Sequence, residues 1–148
     1  MNRPTPAPTV LFDVNALVAL ALTTHQHHRA AHRHLATVTS WATCPVTEAA
    51  LLRLLLNPAV TGRPRETPEV AWVLSGFRTD PRWHWVADDS TLAAPMIDIA
   101  PLTGHQQVTD LHLVNLCARV GLTLATFDTA LPTWLVPPDR RHVQVIRS

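Results

Sequence analysis

Thr9-Val10-Leu11-Phe12-Asp13-Val14-Asn15-Ala16-Leu17 is the stretch that decides the fold. Val10 to Phe12 are apolar without alternation, the pattern of a strand buried on both faces in a covered parallel sheet. Asp13 ends the run. From Asn15 to Leu22 the pattern is helical. A buried strand that hands over at once to a helix is the first half of a βαβ unit. An acid at its carboxyl end lies where open α/β sheets bind ligands.

The same alternation of strand and helix continues along the chain. A second helix is expected over about His25 to Ala36, with Ala30, Ala31, His34 and Leu35 on one face. A second strand runs from Ser40 to Cys44 and is stopped by Pro45. Thr47 is expected to cap a helix through Leu56, ended by Asn57-Pro58. Thr61 to Glu66 reads as a polar loop. Pro68 to Phe77 reads as a helix with Val70, Val73 and Leu74 inward, and His84 to Ala87 as a third strand. Ser90 to Ala100, interrupted by Pro95, reads as short helical or irregular pieces. Thr109 is expected to cap the clearest helix, Asp110 to Val120, with Leu113, Val114, Cys117 and Val120 at helical spacing. Gly121 closes it. Leu122 to Phe127 is a fourth strand, and Val143 to Ile146 a fifth. Strands separated by helices pair in parallel with right-handed crossovers.

Composition bounds the reading. The 148 residues, 47% of them apolar, suit one globular domain over 1–148 with a core of its own. Residues 1–8 read as an extended lead-in. No apolar run has the length of a membrane span. No apolar segment of signal-peptide length precedes the first strand, so a cytoplasmic protein is expected. Cys44 and Cys117 lie in apolar stretches and read as buried free thiols. The net charge of +1 favours no partner, but all twelve basic residues are arginine. Lysine chemistry is therefore excluded, while the arginine fork remains suited to phosphate.

Four acids stand where this fold brings residues together. Asp13 and Asp128 end strand-like runs. Glu48 and Asp110 each follow a threonine at a helix start. If the first and fourth strands are neighbours, Asp13 and Asp128 lie side by side. Converging carboxylates do not all stay charged without a positive partner, and a divalent metal is the simplest one. That combination points to a metal-dependent phosphodiesterase. Taken singly, Asp13 and Asp128 also fit turn acids, and Asp110 fits an acid favoured by the helix dipole.

Four motifs carry a family resemblance. They are Phe12-Asp13-Val14-Asn15-Ala16-Leu17-Val18-Ala19-Leu20, Trp41-Ala42-Thr43-Cys44-Pro45-Val46-Thr47-Glu48, Gly104-His105-Gln106-Gln107-Val108-Thr109-Asp110 and Leu124-Ala125-Thr126-Phe127-Asp128. In this order the chain, over about residues 9 to 147, resembles PIN-domain ribonucleases of the VapC type, toxins of bacterial toxin–antitoxin pairs. The resemblance implies an α/β/α sandwich around a parallel sheet of about five strands in order 3-2-1-4-5. It implies catalytic, metal-binding acids at Asp13, Glu48, Asp110 and Asp128, supported by Asn15 and Thr126. It also implies Mg²⁺ or Mn²⁺, an RNA substrate (tRNA or a ribosomal RNA loop), 5′-phosphate and 3′-hydroxyl products, a cognate VapB antitoxin and a homodimer.

On that reading Asp13, Asp110 and Asp128 contact the ion, and Glu48 binds a second ion or orients its water. Asn15 orients Asp13 or a water, or caps the first helix; Thr126 bonds a ligand carboxylate or is an ordinary strand residue. Asp88-Asp89 reads more readily as a cap than as a ligand. Arg63 and Arg65 fit phosphate contacts or solvated loop residues. Arg53 and Arg119 face RNA or the antitoxin. Trp41, Trp72, Trp83, Trp85 and Trp134 suit core or interface packing. His28 and His32 share a helix face at i, i+4, with His25, His27 and His34 nearby, but a solvated or RNA-facing surface fits better than native zinc. Ala16 to Leu22 and Leu51 to Leu56 fit core or a partner surface.

Two other enzyme classes fail on the residues. An aspartyl-phosphate phosphatase needs a second Asp where Asn15 stands, and both it and a phosphate-accepting receiver domain need a lysine. The alternative in another class is a non-catalytic PIN-like module that grips RNA or protein.

Overall fold

The computed structural model describes residues 3–4 and 6–148. The lead-in expected over 1–8 therefore falls partly outside the described residues. In chain order the elements are β1 (Val10–Phe12), α1 (Val14–Ala21), α2 (His28–Thr37), β2 (Trp41–Thr43), α3 (Pro45–Leu55), α4 (Pro58–Thr61), α5 (Thr67–Arg78), β3 (Trp83–Trp85), α6 (Val108–Val120), β4 (Thr123–Thr126), α7 (Leu131–Trp134) and β5 (Val143–Val145). The five strands form one parallel sheet in order β3-β2-β1-β4-β5. That is the expected order, with β1 and β4 adjacent.

Alternation along β1 divides the core. Val10 and Phe12 point to one face, against α1, α2, α3 and α5. Leu11 points to the other, against Leu113, Leu116 and Cys117 of α6 and Leu131 of α7. Both faces are dry, which is why the strands read as unbroken apolar runs. Cys44 and Cys117 are free, buried thiols in that second layer, and burial raises both thiols above their ordinary value.

Two expected caps are differently placed. Pro45 ends β2 but is also the first residue of α3, as its fixed φ suits that position. Cys44 is the N-cap, and Thr47 lies in the first turn, its Oγ1 accepting the Cys44 N–H at 3.1 Å. Thr109 likewise lies inside α6, because a 3₁₀ turn over His105–Gln107 runs directly into the helix. Gly121 ends α6 at φ +75°, a conformation that disfavours a Cβ. Val120 is exposed rather than on the buried face of Leu113, Val114 and Cys117.

The histidine segment has a structural task. His28 Nδ1 donates to the Ala19 carbonyl at 2.8 Å, and His32 Nε2 donates to the Leu20 carbonyl at 3.0 Å. A carbonyl can only accept, so these bonds fix both tautomers. Helix α1 would otherwise leave these end carbonyls unpaired.

The irregular segment between β3 and α6 is held from below. Buried Asn115 accepts the Met96 N–H at 2.7 Å and donates to the Thr91 carbonyl at 3.3 Å. Buried Asp139 accepts the Asp98 N–H at 2.9 Å. Asn115→Leu removes both Asn115 bonds. It is expected to lower stability by about 2–3 kcal/mol, read as a shifted urea midpoint, and to expose residues 90–102 to limited proteolysis. A proteolytic pattern unchanged from the parent would show that Asn115 does not hold the segment.

Candidate active site

Asp13 follows β1 and is the N-cap of α1, its Oδ1 accepting the Val14 N–H at 2.7 Å. Its own N–H continues the ladder to the Ala125 carbonyl of β4 at 2.8 Å. Asp13 Oδ2 accepts the Thr126 hydroxyl at 2.8 Å. That hydroxyl oxygen in turn accepts the Asn15 amide at 3.2 Å and the Asp128 N–H at 3.1 Å. Asn15 Oδ1 accepts the Phe127 N–H at 3.3 Å. One hydroxyl thus ties the carboxyl end of β1 to that of β4. Asn15 is not the cap of α1; it is a brace between the two strand ends. Asp128 is fixed by its own turn, Oδ1 accepting the Ala130 N–H at 2.9 Å.

Asp110 enters from the opposite layer, in the first turn of α6. Its carboxyl is pushed up to about 6, first by burial and then by the charges of Asp13 and Asp128. Burial also raises Asp13, against the pull of its Thr126 and Val14 bonds, with Asp128 adding to the rise. These three aspartates therefore share one electrostatic site. The charge that Glu48 feels is that of Arg78 instead. Glu48 Oε1 accepts the Thr43 hydroxyl at 3.3 Å, and Thr43 also accepts the Trp83 indole N–H at 3.0 Å. Burial raises Glu48, partly offset by Thr43 and Arg78. The Arg78 guanidinium lies 4.9 Å from the centre of the Trp83 ring.

The donor set is chemically that of a hard cation: carboxylate oxygens, hydroxyls and no soft ligand. As placed, no three His, Cys, Asp or Glu side chains among the described residues stand close enough to hold an ion. Asp13 is already engaged by Val14 and Thr126, and Glu48 by Thr43. The three aspartates supply an unbalanced negative charge that suits a cation, and their carboxylates would have to draw together to grip it.

The remaining sequence candidates divide. Arg63 and Arg65 both reach Glu69, at 2.6 and 3.1 Å. Asp88 accepts from the Ser90 N–H and pairs with His112 at 2.5 Å, and Asp89 pairs with Arg119 at 3.1 Å. Trp41 is buried, whereas Trp72 and Trp85 are exposed. Thr43 and Arg78 were missed. Thr43 had a signal, since it ends β2 as Thr126 ends β4.

No family model matches the chain. Ribonuclease VapC38 of Mycobacterium tuberculosis is 41% identical over 138 residues, covering 92% of this chain and 96% of the relative. Ribonuclease VapC39 of the same species is 39% identical, covering 83% and 91%, and Ribonuclease VapC29 is 35% identical, covering 83% and 88%. Among solved structures, the sarcin-ricin loop cleaving toxin VapC20 of M. tuberculosis superposes with a TM-score of 0.56 over 86% of this chain and 97% of that one. At 12% identity it speaks for the fold.

The shared charge gives a signed prediction. Asp110 ionises at about 6 when folded, above its ordinary 3.8. The folded state keeps a proton that the unfolded chain has released. Stability from protonated Asp110 is therefore full below about pH 4 and lost as pH rises through about 6. In ion-free protein at pH 7, Asp110→Asn is expected to be more stable by about 1 kcal/mol, after discounting for partial exposure. Thermal melts from pH 4 to 8 should show a flatter profile for the variant, and parallel profiles would mean the aspartates are not coupled.

Proposed function

The chain belongs to the VapC family of PIN-domain ribonucleases, and on that footing we propose that it is a metal-dependent endoribonuclease toxin. The observation that carries the reading is the trio Asp13, Asp110 and Asp128, gathered at the carboxyl ends of β1 and β4 and the start of α6. No arginine pairs with any of the three among the described residues.

Asp13, Asp110 and Asp128 would hold Mg²⁺ or Mn²⁺, with Glu48 taking a second ion or orienting a water. A bound divalent ion supplies a water of lowered pKa and charge to stabilise the phosphoryl transition state. The protein's part is positional. Thr126 and the Val14 N–H hold Asp13 in one rotamer, and Asn15 keeps Phe127 and Asp128 in register with it. Asp110 sheds its proton above about pH 6, and a deprotonated carboxylate is the form that binds a cation. The proposed substrate is tRNA or a ribosomal RNA loop, cut to 5′-phosphate and 3′-hydroxyl ends.

A VapB-type antitoxin and a homodimer complete the reading. An antitoxin arginine entering the crevice would neutralise the aspartates in place of an ion. Exposed Leu56, Val60, Trp72 and Trp85 are apolar surface of the sort that partners cover. Among the described residues no helix is long and apolar enough to cross a membrane.

Total RNA incubated with the purified chain should be cleaved with Mg²⁺ or Mn²⁺ and spared with chelator. Asp110→Asn should fall to the chelator background. Cleavage that survives in Asp110→Asn would overturn the site assignment, and ion-dependent RNA binding without cleavage would mark a binding module. Thr126→Val, which loses the hydroxyl but keeps the shape, should cost about 10–100-fold in rate. Its ion titration should weaken in parallel, whereas a rate loss with unchanged ion affinity would remove Thr126 from the positioning role. Saturating antitoxin should abolish cleavage, and undiminished activity would refute inhibition at the crevice.

A further inference from the structure

Two cavities lie on one side of the molecule, between α2 and the C-terminal edge strand. The first, about 260 Å³, is lined by Ala30, Arg33, His34, Gln144 and Arg147, among others. The second, about 390 Å³, includes Arg141 and shares Thr37 and Gln144 with the first. Together they form a trough along β5. Its lining contains arginines and no acid.

Arg33 and Arg147 are exposed and face the first cavity from opposite walls. The acids that take arginines elsewhere, Glu69, Asp80 and Asp89, hold Arg63, Arg65, Arg82 and Arg119. No ion pair involves Arg33 or Arg147 among the described residues. Two unpaired guanidiniums converging on one cavity make a site for anionic oxygens.

The carboxyl end of β5 lies beside that of β4. Val145 is the register partner of Thr126, and the Ile146 N–H donates to the Thr126 carbonyl at 2.8 Å. Arg147 is therefore the next residue past the rim that carries Asp128. On the other wall, His27 at the start of α2 stacks on Phe127, ring centres 4.6 Å apart. Six residues, about 9 Å of helix rise, lead from His27 to Arg33. The start of α2 and the end of β5 thus both lie near the Phe127–Asp128 corner.

We propose that Arg33 and Arg147 form a backbone-phosphate subsite that receives the RNA strand as it leaves the Asp13–Asp110–Asp128 crevice. This rests on the ribonuclease reading for the identity of the ligand. An acidic protein segment is the competing occupant. RNA is favoured because arginine is the only fully charged residue type in the lining and Arg147 follows the strand end that bonds Thr126.

The test measures binding in chelator, where no cleavage occurs. A labelled single-stranded RNA oligonucleotide is titrated at several salt concentrations against the parent chain, Arg33→Gln/Arg147→Gln and Arg140→Gln. Each lost phosphate contact removes about 0.7 from the slope of log affinity against log salt. The double variant should lose about 1.4 in slope and bind about tenfold more weakly at 0.1 M salt. Arg140→Gln, an exposed arginine that bonds the Leu135 and Thr133 carbonyls and lines neither cavity, should leave the slope unchanged. Circular dichroism confirms that each variant is folded. Equal slopes for the parent and the double variant would overturn the subsite, as would an equal loss in Arg140→Gln, which marks diffuse attraction. Loss of antitoxin binding with RNA binding intact would assign the trough to a protein partner and likewise overturn it. RNA held through the two arginines but never cut with Mg²⁺ or Mn²⁺ would uphold the subsite and fail the ribonuclease reading alone.

Discussion

Asp13 and Asp128 are neighbours because β1 and β4 pair in parallel, Phe12 opposite Ala125. Everything at the site hangs on that register. A slip of one residue would turn Leu11 toward the wrong layer and carry Asp13 away from Thr126. The register is held from both sides, by Leu11 and Leu124 in one layer and Phe12 and Ala125 in the other. The Thr126 hydroxyl then converts a backbone pairing into a side-chain arrangement, since it bonds Asp13, Asn15 and the Asp128 backbone at once.

Against this rigid base the chain gathers like charges. Burial and mutual repulsion both press on Asp110, and among the described residues no arginine pairs with it to offset them. A fold optimised for stability alone would not place three aspartates this way. The offset comes from a dry core on both faces of the sheet, which is strong enough to carry a repulsive corner. Glu48 is handled differently, with Thr43 and Arg78 beside it. The four acids that look equivalent in the sequence are thus three coupled groups and one with its own partners.

The ends of β1, β2 and β4 were legible because each is a short, mostly apolar run stopped within two residues by an acid or a proline, whereas the sheet order came from the family resemblance. Asn15 and Thr126 were legible as supports, though not that Thr126 is the hub. The caps were less so. Thr47 and Thr109 look like N-caps, yet Cys44-Pro45 and a 3₁₀ turn start those helices earlier. Helices α4 and α7, four residues each, escaped notice because pieces this short owe their existence to tertiary packing rather than to periodicity. The histidines were ambiguous for a related reason. Their spacing showed a shared face, but only the placement of α2 across the end of α1 shows that His28 and His32 meet the Ala19 and Leu20 carbonyls.

Asp13 has three roles in one side chain: it starts α1, it receives Thr126, and it lies in the crevice. Among the described residues the Asp110 side chain has no hydrogen-bonding duty of that kind. A gene copy released from selection for chemistry is therefore not equally free at each acid. Loss of Asp13 damages a helix start and a cross-strand tie, so such lineages fade with their fold. Loss of Asp110 damages neither and relieves repulsion. Silent descendants that keep their shape, and with it whatever partners recognise that shape, should arise by decay in α6 rather than at the end of β1.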